Sequence, residues 1–160
     1  VALLAESEFI DIFGVENSLT PAMDLFTKLG YLGLTCRLNT DAYLQQIGAG
    51  HLPHGAVAVA FSHSGSSADT VKALRLAKSH GAKTIAITNA IGAPLASWAD
   101  VTLLTGRDSH TIYGNAIFSR VADTALVDML YMGVILSGYG RFSTALDESG
   151  RMIRDRVFEN

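Results

Sequence analysis

Cysteine is almost missing from this chain: Cys36 stands alone among 160 residues. A single thiol excludes an intrachain disulfide, and no Cys-x-x-Cys pair or Cys/His zinc spacing exists. This points to a reducing, cytoplasmic setting and implies no metal; no cofactor is implied either. Charge is also sparse, at 17% of residues, and has no basic excess, with 12 Lys and Arg against 15 Asp and Glu. Nucleic-acid binding needs a basic patch or stripe, so any DNA contact has to come from outside these residues. Long apolar runs are lacking too. The greasiest stretch, 129–136, is eight residues long and follows Asp123 and Asp128, whereas a membrane span needs roughly 20 apolar residues. The start has no basic n-region and carries Glu6 and Glu8 early, which argues against a signal peptide. It opens on Val1 rather than Met, and the expectation is a piece of something longer.

What the chain has is apolar residues, 49% of the total. That is enough to fold one domain of ordinary size over residues 1–160. It is slightly greasy for a small monomer, which predicts a subunit contact, a homodimer or higher homo-oligomer. Short apolar runs alternate with helical patterns. Strands are expected at 9–13, 34–38, 55–61, 83–88 and 100–104. Helices are expected at 20–30, with Ser18 or Thr20 as N-cap and Gly30 as stop, and at 41–50, 68–80, 93–99 and 115–138, with a frayed polar helix at 144–158. The run GAVAVAF at 55–61 does not alternate, as expected of a strand buried on both faces of a parallel sheet. The second half of the 115–138 helix is apolar nearly all round and is expected to be buried on most sides. Strand–helix alternation of this kind specifies an α/β doubly wound parallel sheet, whose ligands sit beyond the carboxyl ends of the strands at a topological switch point.

Two loops then matter most. SHSGSS, Ser62 to Ser67, leaves the third strand and enters a helix. The first turn of a helix exposes unpaired N–H groups whose partial positive charge favours an anion. Gly65 allows close backbone approach, and Ser62, Ser64, Ser66 and Ser67 add hydroxyl donors. A phosphate monoester, with three acceptor oxygens, suits such a cluster; the competing reading is that the serines only cap the helix and fill the turn. GVENS, 14–18, leaves the first strand. Gly14 permits a sharp turn, and Ser18 is placed either to donate across the cleft or merely to cap. A Walker A loop is excluded because no Gly-Lys pair occurs; GVENSL lacks the later glycines of a Rossmann fingerprint, and Phe61 and His63 rule out a nucleophile elbow.

Gly14 and Ser18, the Ser62-His63-Ser64-Gly65 stretch with Ser67, TIAIT in the fourth strand, PLASWADV after it and SRVADTALVDMLY in the long helix resemble the SIS (sugar isomerase) phosphosugar-binding domain. The likeness spans about residues 8–140 and leans toward the C-terminal sensor domain of RpiR-family transcriptional regulators. It implies a three-layer α/β/α sandwich with a five-stranded parallel sheet, dimerised through helices. It implies a sugar phosphate or phosphorylated sugar acid held at Ser62, Ser64, Ser66 and Ser67, with Gly65 giving backbone access, Gly14 shaping the first loop and Ser18 closing from the other side. It also implies a DNA-binding domain N-terminal to this chain and absent from it. One position departs from the family's Gly-x-Gly-x-Ser at the first loop, where Glu16 replaces the second glycine.

The same fold hosts aldose–ketose isomerases, the alternative function. Their chemistry needs a positioned base. The segment after the second strand offers Asp41 and His51 but no Glu, which leaves Glu16 as the weak catalytic candidate, with His63 and His110 as further loop residues. Arg120, Asp123 and Asp128 are assigned to helix faces.

Overall fold

The structure, a computed structural model, describes residues 1–106 and 120–154. His110 and the 115–119 part of the expected long helix lie outside them. The elements in chain order are α1 (Ala2–Ala5), β1 (Ile10–Phe13), α2 (Leu19–Tyr31), β2 (Cys36–Leu38), α3 (Ala42–Ala49), β3 (Val57–Phe61), α4 (Ala68–Ser79), β4 (Lys83–Thr88), β5 (Val101–Leu104), α5 (Val121–Ser137) and α6 (Tyr139–Met152). The strands form one sheet in the order β2-β1-β3-β4-β5, and every pairing is parallel. The chain steps outward from β1 to β2, then crosses back to place β3 on the other side of β1. The switch point therefore lies between β1 and β3, and it is the loops leaving these two strands that flank it.

Side chains alternate across the sheet, and the two faces differ in size. Val57, Val59 and Phe61 of β3 join Ile10, Ile12, Ile85 and Ile87 on one face, covered by Leu25 and Leu29 of α2 and Val127 and Val134 of α5. Ala58 and Ala60 join Ala86 on the other face, where Ala73, Leu74 and Ala77 of α4 pack. Alanine against alanine lets α4 lie close to the strands at interior packing density. That fixes the start of α4 near the end of β3.

Several expectations change. Helix α2 runs through Gly30 and ends beyond it. Gly33, at φ +72°, makes the left-handed exit, and the Leu34 amide donates back to the Leu29 carbonyl. The predicted helix at 93–99 is only a 3₁₀ turn over Ala96–Trp98. The tail helix starts earlier than expected, at Tyr139, and is anchored by buried Phe142. It turns 116° from α5 at Gly138. Nor is the second half of α5 buried on most sides: Met129, Met132 and Leu136 are 70%, 50% and 70% exposed, whereas Val127, Leu130, Val134 and Ile135 face the core. No single helix among the described residues is long and apolar enough to cross a membrane.

One charge lies inside the sheet. Asp11 of β1, 1% exposed, receives two hydrogen bonds from Arg37 of β2, at 3.0 Å from Nε and 2.6 Å from Nη2. The guanidinium stacks on the Phe9 ring, 5.2 Å from its centroid. Gly48 of α3 leaves room for it, since a Cβ there would stand 2.6 Å from Nη2. Burial pushes the neighbouring Cys36 thiol up to about 12, so this cysteine stays protonated at neutral pH. Because a buried carboxylate stripped of its partner keeps its desolvation cost, Arg37→Met is expected to lower stability by about 3–5 kcal/mol. Urea unfolding followed by circular dichroism checks this; an unchanged midpoint would show that the pair carries no weight.

Candidate functional site

The turn after β3 is built around Gly65. Its φ is +62°, and a Cβ would stand 2.4 Å from the Ala93 Cβ and 2.9 Å from Thr88 Oγ1, so only glycine fits both the conformation and the space. The carbonyls of residues 62–65 are all taken within the protein. Ser62 O accepts from the Gly65 amide, and His63 O from the Asn89 amide and Thr88 Oγ1. Ser64 O accepts from Ser66 Oγ, and Gly65 O from the Leu95 amide. Ser67 is the N-cap of α4, yet its hydroxyl makes no capping bond to the helix; it accepts from Thr70 Oγ1 at 3.3 Å. The capping explanation for Ser67 therefore does not hold.

Across the switch point, Val15, Glu16, Asn17 and Ser18 form the opposite wall. Ser18 is buried and is the N-cap of α2, again without a side-chain cap bond. Glu16 has φ +51°, the one positive value outside glycine among the described residues. The position where the first loop departs from glycine keeps a backbone conformation that suits glycine. The loop is held from below by Gln45 of α3. This side chain is 1% exposed. Its Oε1 accepts from the Gly14 amide at 3.3 Å, while its Nε2 donates to the Gly14 carbonyl at 2.7 Å and the Asn39 carbonyl at 2.8 Å. One amide side chain thus clamps both sides of Gly14, in the manner of a paired strand.

Between the walls lies an open cleft of about 260 Å³, lined by Val15, Glu16, Asn17, Ser18, Ser62, His63, Ser64, Ser67, Asp69 and Arg120. Of the residues singled out in the sequence, Glu16, Ser18, Ser62, His63, Ser64 and Ser67 meet there. Gly14 and Gly65 lie behind the walls and shape them. Ser66 does not reach the cleft; it is exposed, and its amide and hydroxyl bind Ser64. Asp41 caps α3 by accepting from the Leu44 amide, and His51 is exposed beyond that helix. His110 is outside the described residues. Arg120, assigned from sequence to a helix face, instead lines the cleft at the start of α5, 3.9 Å from Asp123. Sequence reasoning also missed Gln45, Asn17 and Asp69. Nothing local marks Gln45, whose role exists only because α3 packs under the β1 loop. Arg120 sits immediately before a helix, a position that hints at a cap rather than a ligand contact. Chemically, the cleft offers serine hydroxyls, helix-start amides, the Arg120 guanidinium and the carboxylates of Glu16 and Asp69.

The SIS domain family model matches residues 3–133. The chain is 31% identical over 157 residues to an HTH-type transcriptional regulator of Caldanaerobacter subterraneus subsp. tengcongensis, covering 98% of this chain and 56% of the relative. It is 26% identical over 143 residues to the HTH-type transcriptional regulator RpiR of Escherichia coli K12, covering 89% and 48%. Among solved structures, the Vibrio vulnificus NanR protein complexed with ManNAc-6P superposes with a TM-score of 0.91 at 25% identity, covering 99% of this chain and 60% of that one. The chain thus spans about half the length of the curated relatives it matches.

Gly65→Ala places a methyl group where no space exists and forces a left-handed residue. Stability is expected to fall by about 1–3 kcal/mol, read as a lower denaturant midpoint; a midpoint equal to that of the parent chain would show that the turn relaxes freely.

Proposed function

We propose, from the premise that this chain belongs to the SIS domain family, that it is the phosphosugar-sensing part of an RpiR-like transcriptional regulator acting in the cytoplasm. The observation that carries this reading is the pair of helix-start serines, Ser18 and Ser67. They stand on the two loops at the switch point, line one cleft, and have hydroxyls not spent on capping their own helices. Ser62, Ser64 and Ser67, with the first amides of α4, are assigned the phosphate oxygens, and Ser18 closes from the first loop. Gly65 and Gly14 act through the backbone. Ser66 is assigned a supporting role, holding Ser64. Arg120 adds a positive charge that the serine cluster alone lacks. That a phosphorylated sugar is the ligand is supported by the solved relative that binds ManNAc-6P.

Residues 1–160 are read as one sensing domain. The relatives' greater length supports a DNA-binding segment elsewhere in the regulator. Ligand binding then acts through differential affinity for two arrangements of the assembly. The assembly is read as a homodimer built on α5. Val121, Ala125, Met129, Met132 and Leu136 recur every three or four residues along one exposed face of that helix, as the apolar side of a helix–helix contact does. An isomerase reading with Glu16 as base keeps one supporting observation, the carboxylate in the cleft. It predicts exchange of the C2 proton of a bound sugar phosphate into deuterated water, and the sensor reading predicts none.

Three experiments test the proposal. Sugar phosphates are expected to raise the melting temperature by mass action, and Ser64→Ala and Ser67→Ala each to weaken binding by about 0.5–3 kcal/mol in calorimetry. Affinity unchanged in both variants would put the phosphate elsewhere. Met129→Glu with Leu136→Glu is expected to convert a dimer into a folded monomer by sedimentation; a dimer that survives would move the interface off α5.

A further inference from the structure

The cleft contains a carboxylate that the phosphate reading does not use. Glu16 lines the cleft opposite the serine turn, is exposed, and takes part in no ion pair among the described residues. It holds φ +51°, a conformation that glycine or asparagine reaches at lower cost. The backbone alone thus gives no reason for a glutamate here. Nor is the loop free to carry the charge away, because two residues earlier the Gly14 amide and carbonyl are both gripped by Gln45.

The remaining charges around the cleft sharpen the consequence. Asp69 accepts from Gln46 Nε2 at 3.2 Å, and Arg120 stands 3.9 Å from Asp123. Among the described residues, and with His63 neutral, Glu16 and Asp69 stand against Arg120, so the described lining carries more negative than positive charge. A phosphate satisfied by hydroxyls and amides tolerates that. A second anionic group on the ligand does not, since charges within one small cleft lie well inside the screening length of about 8–10 Å. An ammonium on the ligand would relieve it.

We propose that Glu16 sets a charge preference in this site: a phosphorylated sugar bearing an ammonium group is favoured over its hydroxyl counterpart, and one bearing a carboxylate is rejected. The inference rests on the phosphosugar reading of the cleft, and of the two ligand classes the sequence suggested it keeps the sugar phosphate and discards the phosphorylated sugar acid.

Titration calorimetry with glucosamine 6-phosphate, glucose 6-phosphate and 6-phosphogluconate tests it on the whole chain. The parent protein is expected to bind the amino sugar about three- to tenfold more tightly than the neutral one, and the sugar acid more weakly than either. Glu16→Gln is expected to collapse the first ratio toward one while glucose 6-phosphate binds as well as before or better. Glu16→Asn, which accepts the left-handed backbone, gives the same readout if the Gln variant folds poorly. If the order of the three ligands survives in both variants, or the parent binds all three alike, the charge preference is wrong and the phosphosugar site stands. If none of the three binds the parent, the phosphosugar reading fails and takes this inference with it.

Discussion

The site depends on where the carbonyl oxygens of one turn go. A strand that stops and feeds a helix within six residues leaves a row of backbone acceptors, and any that faced the cleft would repel an anion. Here the carbonyls of residues 62–65 bond back onto β4, the segment after it, or the turn itself. What this turn presents to the cleft is then the serine side chains of Ser62, Ser64 and Ser67. Gly65 makes this geometry attainable, because its left-handed backbone presses against Thr88 and Ala93 with no room for a side chain.

That turn can lie where it does because of the sheet's two unlike faces. Branched and aromatic residues fill the side under α2 and α5, and alanines line the side under α4. The small residues draw α4 in until its first turn stands beside the end of β3, so the helix amides and the serine hydroxyls address the same space. For the loop after β1, Gln45 of α3 does with a side chain what β4 does for the second loop with its backbone: it fixes Gly14 from both sides. Two loops from different parts of the chain thereby converge on one cleft, each held from behind. The front of each lines the cleft.

Much of this was legible in the sequence, and the parts that were not have a common cause. Strand order aside, the alternation of apolar runs with helical patterns gave the sheet and its helices, since both periodicities are local. The serine turn was legible because its residue types are themselves the chemistry. Element ends were less so. Gly30 looked like a helix stop, but Leu29 and Leu32 are pulled into the core and carry the helix past it. The apolar second half of α5 was expected to be buried on most sides, whereas Met129, Met132 and Leu136 are exposed and Leu130, Val134 and Ile135 are buried.

By itself the sequence determined which residues are apolar and in what rhythm, where glycine permits a left-handed turn, and which loop is crowded with hydroxyls. These are properties of neighbours along the chain. Only the tertiary structure decided that Ser18 and Ser67 leave their helix ends uncapped, that Ser66 turns aside, that Gln45 grips Gly14 from 31 residues away, and that Arg120 arrives at the cleft from the far end of the chain. Each of these depends on contacts between segments distant in sequence, and such contacts are set by the packing of helices on the sheet rather than by any local pattern.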